Sequence, residues 1–235
     1  MRINKYLASC GLGSRRGVEE LIVSGVVKVN GKTVVELAFD VNEDNDSVTV
    51  NGKRVRPVTN YTYVMLHKPK GCICSANDEK GRKTVYDYVD VKERLVYVGR
   101  LDYDTEGLLI MTNDGDLVNK LTAPINEIPK TYLVKIEGEV TEAELATIRK
   151  GVVLDGVKTK RTAIRRKETE EEGMTVLYVT ITEGRNRQIR RMFESIGKEV
   201  VYLKRIAIGD LRLGGLARGA YRFLTDVEIE YLKRL

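Results

Sequence analysis

The sequence predicts an α+β fold: a small N-terminal domain followed by a domain with a largely antiparallel mixed sheet flanked by helices. Three observations lead there. Two alternating segments near the N-terminus each turn about an Asn-Gly pair, Asn30-Gly31 and Asn51-Gly52, whose residues tolerate positive φ and so mark hairpins. From Tyr61 onward, strand-like runs and helical patterns interleave without the regular spacing of a doubly wound parallel sheet. Finally, 235 residues with 42% hydrophobic and 31% charged content suffice for a sizeable core in one domain or two.

Taken in order, residues 3–10 and 15–24 read as two short helices. Ile3, Tyr6 and Leu7 share one face of the first, and Val18, Leu21 and Ile22 one face of the second. Gly11 and Gly13 separate them, and Ser14 is placed to cap the second. The hairpins 26–34 and 48–55 complete a unit of residues 1–56. Residues 57–60, around Pro57, read as a linker, because proline cannot continue a ladder. In the second domain, 61–235, strands are expected at 61–67, 108–112, 131–137, 174–182 and 199–204. Helices are expected at 83–89, 115–121, 142–150, 186–196 and 226–234. Thr141 with Glu144, and Thr225 with Glu228, have the spacing of a capping box.

The net charge is +6, and its distribution says more than its total. Residues 1–32 hold six basic side chains against two acidic ones, whereas 33–56 hold five acidic against three basic. Placed charge of this kind suits a polyanionic partner. The three cysteines, Cys10, Cys72 and Cys74, are an odd number, which points to a reducing, cytoplasmic setting. Cys72-Ile-Cys74 and a single histidine, His67, offer no zinc-site spacing, so no metal is expected. The N-terminus carries charges where a signal peptide needs an apolar core, and no apolar run reaches membrane-spanning length.

The segment 99–109, Gly-Arg-Leu-Asp-Tyr-Asp-Thr-Glu-Gly-Leu-Leu, sets three carboxylates beside a guanidinium. Such crowding is one way to hold a carboxylate ionised and aimed. Composition does not choose among Asp102, Asp104 and Glu106. On the helix expected at 186–196, Ile189, Met192, Phe193 and Ile196 form an apolar stripe. Arg187, Arg190, Arg191 and Glu194 follow the opposite side. Alone, that side would be a solvated basic face. Tyr132 would be an ordinary strand aromatic, and Leu203 plain core.

Together these fragments resemble the bacterial pseudouridine synthases of the RsuA/RluB/RluE/RluF group, over essentially the whole chain. Residues 1–56 resemble the ribosomal-protein-S-four-type RNA-binding domain through Ile3-Asn-Lys-Tyr-Leu, Gly13-Ser-Arg-Arg16 and Val29-Asn-Gly-Lys32. His67-Lys-Pro-Lys-Gly71 is similar to the first synthase motif, with His67 where asparagine is more usual. Residues 99–109 resemble the catalytic-aspartate motif, Lys130-Thr-Tyr132 the tyrosine motif, and 183–192 the arginine motif.

The resemblance implies isomerisation of uridine to pseudouridine in ribosomal RNA, without metal or organic cofactor. It makes Asp102 the carboxylate at the ribose. That group either attacks C1′ or takes a proton from C2′. Arg190 would pair with Asp102, and Tyr132 would stack on the uracil and serve as base for the C5 proton. Arg100 would fill the gap left by the extruded base, whose unstacking costs a few kcal/mol. Leu203 would floor the uracil pocket. Arg187 and Arg191 would be left to meet phosphates, and Lys5, Arg15, Arg16, Lys28 and Lys32 would form the RNA-binding surface.

The arginine motif and the end of the chain look closer to the RluB and RluF branches, which favours large-subunit over small-subunit RNA. The expected partner is ribosomal RNA or a precursor ribosomal particle, met by a cytoplasmic monomer with no membrane association. The rival readings are a small-subunit enzyme, a catalytically silent RNA-binding or ribosome-assembly protein, and another base-modifying enzyme. The last would be a deaminase, against which the lack of a His/Cys zinc constellation argues, or a glycosylase, which would release free uracil. The second basic stretch, Lys158 to Lys167, is expected to be surface. His67, Cys72 and Cys74 are expected to be structural.

Overall fold

The structure is a computed structural model describing residues 1–76, 78–169 and 171–235. The chain divides into two compact units, Met1–Thr62 with Lys92–Leu95, and Tyr63–Val91 with Val96–Leu235. Residues 57–60, expected as a linker, are tied to the first unit: the Val58 N–H donates to Ser9 O at 2.9 Å.

The first unit has helices α1 (Ile3–Ser9) and α2 (Glu19–Val23) and a four-stranded antiparallel sheet. Its strands are β1 (Val27–Val29), β2 (Lys32–Thr33), β3 (Val48–Val50) and β4 (Lys53–Arg54), in the order β2-β1-β3-β4. Both Asn-Gly turns form, with φ of 51° and 79° at Asn30-Gly31 and 50° and 76° at Asn51-Gly52. The second helix is shorter than the expected 15–24. Ser14 caps a preceding turn instead, its Oγ accepting from the Gly17 N–H at 2.9 Å, and α2 begins after Val18 with no side-chain cap. Ile3, Tyr6, Leu7, Val18, Ile22, Val27, Val29, Val48 and Val50 form the core.

The second unit is built on a nine-stranded sheet of β5 (Tyr63–Lys68), β6 (Val96–Val98), β7 (Glu106–Thr112), β8 (Lys130–Glu137), β11 (Ala163–Lys167), β12 (Met174–Ile181), β13 (Val200–Ile208), β14 (Leu211–Arg212) and β15 (Tyr221–Phe223). The order is β11-β12-β8-β13-β7-β5-β15, with β14 on β13 and β6 on β7. Among the described strands of this sheet only β13 and β7 pair in parallel, so it is the largely antiparallel mixed sheet expected. A separate hairpin, β9 (Val153–Leu154) and β10 (Val157–Lys158), turns on Asp155-Gly156.

Helices α3 (Gly115–Thr122), α4 (Glu142–Lys150), α5 (Gln188–Glu194) and α6 (Asp226–Arg234) flank this sheet. The capping boxes of Thr141 with Glu144 and Thr225 with Glu228 both form, which fixes the starts of α4 and α6. The helix expected at 83–89 is only a 3-10 turn, Val85–Tyr88. Thr84 and Asp87 cap its start, and Val89 is already extended, so no further turn can propagate.

Strands β7 and β13 approach unusually closely at Gly107. A Cβ there would lie 2.2 Å from Arg205 O, and the φ of +116° is one that only glycine adopts without strain. This glycine brings the Asp102 loop against the strand that carries Leu203 and Arg205.

Candidate active site

Asp102 lies in the loop between β6 and β7, and a buried lysine holds that loop. Lys68 ends β5 with 0% exposure. Its Nζ donates to Asp102 O at 2.9 Å, Thr105 O at 2.8 Å and Pro69 O at 3.1 Å. Every donor of the ammonium is thereby spent on main chain. Burial pushes the Lys68 pKa down, and the neighbouring Cys72, Cys74, Asp102 and Asp104 side chains oppose that. The loop is also closed on itself, Thr105 N–H to Asp102 O at 3.1 Å, and is tied to Gly71, whose N–H donates to Tyr103 O at 2.9 Å.

The Asp102 loop borders a cavity of about 210 Å³. Arg100, Asp102, Tyr132, Leu203 and Arg187 all line it. The strand period explains the convergence. Lys130 and Tyr132 are two apart on β8, Leu203 and Arg205 two apart on β13, and Arg205 stands opposite Tyr132 in the register. All four line the cavity, with Tyr132, Leu203 and Arg205 buried and Arg100 exposed at its edge.

The far wall is the segment 182–189, shaped by a buried glutamine. Gln188 accepts from the Arg185 N–H at 3.0 Å and donates to Glu183 Oε1 at 2.6 Å, while Arg185 donates to the carbonyls of Val157 and Lys158. Helix α5 therefore starts at Gln188, two residues later than the sequence suggests. Arg187 precedes it in a left-handed conformation, φ 49°.

The arginines of α5 are partnered differently from expectation. Arg190 bridges Asp104 Oδ2 at 3.1 Å, not Asp102, and also donates to Asp104 O at 3.2 Å and Val200 O at 2.5 Å. Burial draws its pKa below the usual guanidinium value, and the charges of Asp104 and then Asp102 oppose that. Arg187 joins the same carboxylate at 3.4 Å, so it is not free. Arg191, expected to meet phosphate, does not line the cavity. One residue further round the helix, it points at the β9–β10 turn and forks onto Asp155 at 2.9 and 2.6 Å.

Glu106, the third carboxylate, is 1% exposed and belongs to a separate cluster. The Tyr202 hydroxyl donates to it, and Arg218 bridges it at 3.2 Å. His67 is buried nearby, its Nδ1 2.7 Å from Leu216 O, and burial lowers its pKa. Sequence reasoning missed Lys68, Lys130, Gln188 and Arg205. For Lys130 and Arg205 the signal was the strand period, which sets them on the face of Tyr132 and Leu203.

In the N-terminal unit Arg15, Arg16, Lys28 and Lys32 are exposed and Lys5 is half-buried. Lys28 faces out between the buried Val27 and Val29. Among the described residues no cluster of three His, Cys, Asp or Glu could hold a metal ion, and no helix is long and apolar enough to cross a membrane.

A basic first unit, with a carboxylate, a tyrosine and arginines around one small cavity in the second, suits an RNA-modifying enzyme. Residues 62–195 match the family model described as RNA pseudouridylate synthase, and residues 1–47 match the S4 domain. The chain belongs to the RNA pseudouridine synthase family and is an isomerase. A Bacillus subtilis (strain 168) protein named ribosomal large subunit pseudouridine synthase B is 44% identical, the match covering 100% of this chain and 96% of that one. A Vibrio cholerae protein of the same name is 37% identical, with 100% and 74% covered. A solved structure described as a crystal structure of pseudouridylate synthase aligns with a TM-score of 0.71 at 34% identity, covering 99% of each chain.

Proposed function

We propose that this protein isomerises one or a few uridines of large-subunit ribosomal RNA to pseudouridine, acting as a cytoplasmic monomer on RNA or a precursor particle. The names of the Bacillus subtilis and Vibrio cholerae relatives support the large subunit as target. The observation that carries the catalytic reading is the convergence of Asp102, Tyr132 and Leu203 on one cavity, with Arg100 at its edge. The target nucleotide is extruded into it, and Arg100 occupies the space left in the RNA. The Asp102 carboxylate acts at the ribose, at C1′ or on the C2′ proton, and the C1′–N1 bond breaks. The uracil turns and C5 joins C1′, displacing the Asp102 carboxylate on the first route or with the C2′ proton returned on the second; Tyr132 receives the C5 proton and N1 takes one up. Arg190 orients the Asp102 loop through Asp104, keeping positive charge beside both carboxylates. Lys5, Arg15, Arg16, Lys28 and Lys32 hold phosphates and set the register of the RNA without reading its bases.

The test is release of tritium from ribosomal RNA transcripts labelled at uridine C5. The wild-type protein releases it and Asp102→Ala does not; carbodiimide mapping then locates the product. Free uracil among the products would identify a glycosylase instead. No release from any transcript or precursor particle would reject the enzymatic reading.

A further inference from the structure

Two cations face the cavity beside Asp102, and among the described residues neither is bridged to a carboxylate. Arg205 is 2% exposed. Its Nε donates to Leu108 O at 2.7 Å, but its Nη2 is buried without a hydrogen-bond partner. Lys130 lines the same cavity, its Nζ donating to Ile128 O at 2.9 Å, which leaves two of its three donors unspent. Burial and the neighbouring Arg205 push its pKa down to about 8. A buried guanidinium with an unused donor beside a second cation is costly. An anion bound between them would relieve both costs.

The reaction produces such an anion. When C1′–N1 breaks, the bonding pair leaves with the base, and the detached uracil carries negative charge shared among N1 and its carbonyl oxygens. It must stay bound while N1 turns away from C1′ and C5 turns toward it. We propose that Arg205 and Lys130 form the anion site for the detached uracil, Arg205 Nη2 donating to one carbonyl oxygen and Lys130 Nζ to the other. This rests on the reading of the reaction given above. No proton moves through either cation: the base supplies the pair for the new C1′–C5 bond, the C5 proton leaves to Tyr132, and N1 takes up a proton from solvent to complete pseudouridine. The close approach at Gly107 fixes the backbone of Arg205, so this donor is held in place before the base arrives.

The experiment compares RNA fragments carrying either uridine or 5-fluorouridine at the mapped target. Fluorine makes the departing base a better-stabilised anion, so a protein lacking an anion-stabilising cation should suffer less on it. Single-turnover consumption of the target nucleoside and RNA Kd are measured for wild type, Arg205→Gln, Lys130→Met and Lys130→Arg. Arg205→Gln and Lys130→Met are expected to lose tenfold or more on uridine RNA, with Kd within twofold of wild type. On 5-fluorouridine RNA their loss should be at least threefold smaller. Lys130→Arg, which keeps the charge, should recover most of the rate. Equal losses on both RNAs, or none, overturn the anion site, and the Lys130 pair decides it if Arg205→Gln does not fold. A wild-type protein inactive on every ribosomal transcript instead rejects the functional reading, and this inference with it.

Discussion

Replacing Lys68 by methionine keeps the length and apolar stem of the side chain and removes the ammonium that ties the Asp102 loop to β5. Three main-chain acceptors lose a charged donor: Asp102 O at 2.9 Å, Thr105 O at 2.8 Å and Pro69 O at 3.1 Å. Asp102 O keeps the Thr105 N–H at 3.1 Å and Pro69 O keeps the weak Cys72 thiol at 3.5 Å, so the loss is partial. Each unsatisfied buried acceptor costs about 1–3 kcal/mol, and the recovered cost of burying an ammonium offsets part of the sum. The net is about 3 kcal/mol, which for a chain of this size lowers Tm by about 6–12 °C. The rate should fall further than stability accounts for, because misplacing a reacting group by about 1 Å costs about a hundredfold. Differential scanning calorimetry and single-turnover tritium release on the same preparation read both effects. A Lys68→Met protein that melts within 2 °C of wild type and reacts at the wild-type rate, to within about twofold, would refute the claim that this tether fixes Asp102.

Two further outcomes test individual carboxylates. Asp102→Asn should abolish tritium release, whereas Asp104→Asn, which loosens the 3.1 Å bridge to Arg190, should cost about 1.5 kcal/mol, or about tenfold in rate; the reverse order would move the catalytic carboxylate to Asp104. The Arg222 guanidinium forks onto Glu228 at 2.7 and 2.6 Å and, with the Thr225 N–H, holds its carboxyl down at about 2, against 4.5 for an unperturbed glutamate. Because the folded value is the lower one, this stabilisation is complete above the unfolded pKa and fades as pH falls toward the folded one. Discounted for solvent screening it is worth about 1 kcal/mol, so urea unfolding should show Glu228→Gln less stable by that amount at pH 7 and by progressively less between pH 5 and 3. A difference that stays constant over that range would show that the pair does not govern acid sensitivity.

What was legible in the sequence is what short stretches of chain decide for themselves. The Asn-Gly turns, the capping boxes at Thr141 and Thr225, and the alternation from Thr131 to Glu137 depend on neighbours a few residues away, and the structure has them where expected. Tertiary packing redrew the weaker local signals. Val85–Tyr88 stops at one turn, and α2 begins only after Val18, where its apolar face meets the first core. The strand begun at Val200 runs on to Ile208 because β7 and β8 supply its ladders.

The chemistry divides in the same way. The family resemblance that the motifs carry narrowed the acidic loop to Asp102, paired it in expectation with Tyr132 and Arg190, and gave the first 56 residues an expected RNA-binding role. Only the tertiary structure put Arg190 on Asp104, Arg191 on Asp155, Lys68 against the loop and Arg205 opposite Tyr132. Each of those contacts joins residues remote in the chain. Such contacts follow from sheet order, the close approach at Gly107 and the rotation of α5, and no local propensity encodes any of these. A residue's type and period can be read from the chain, but the charge it faces is set by which strands lie side by side.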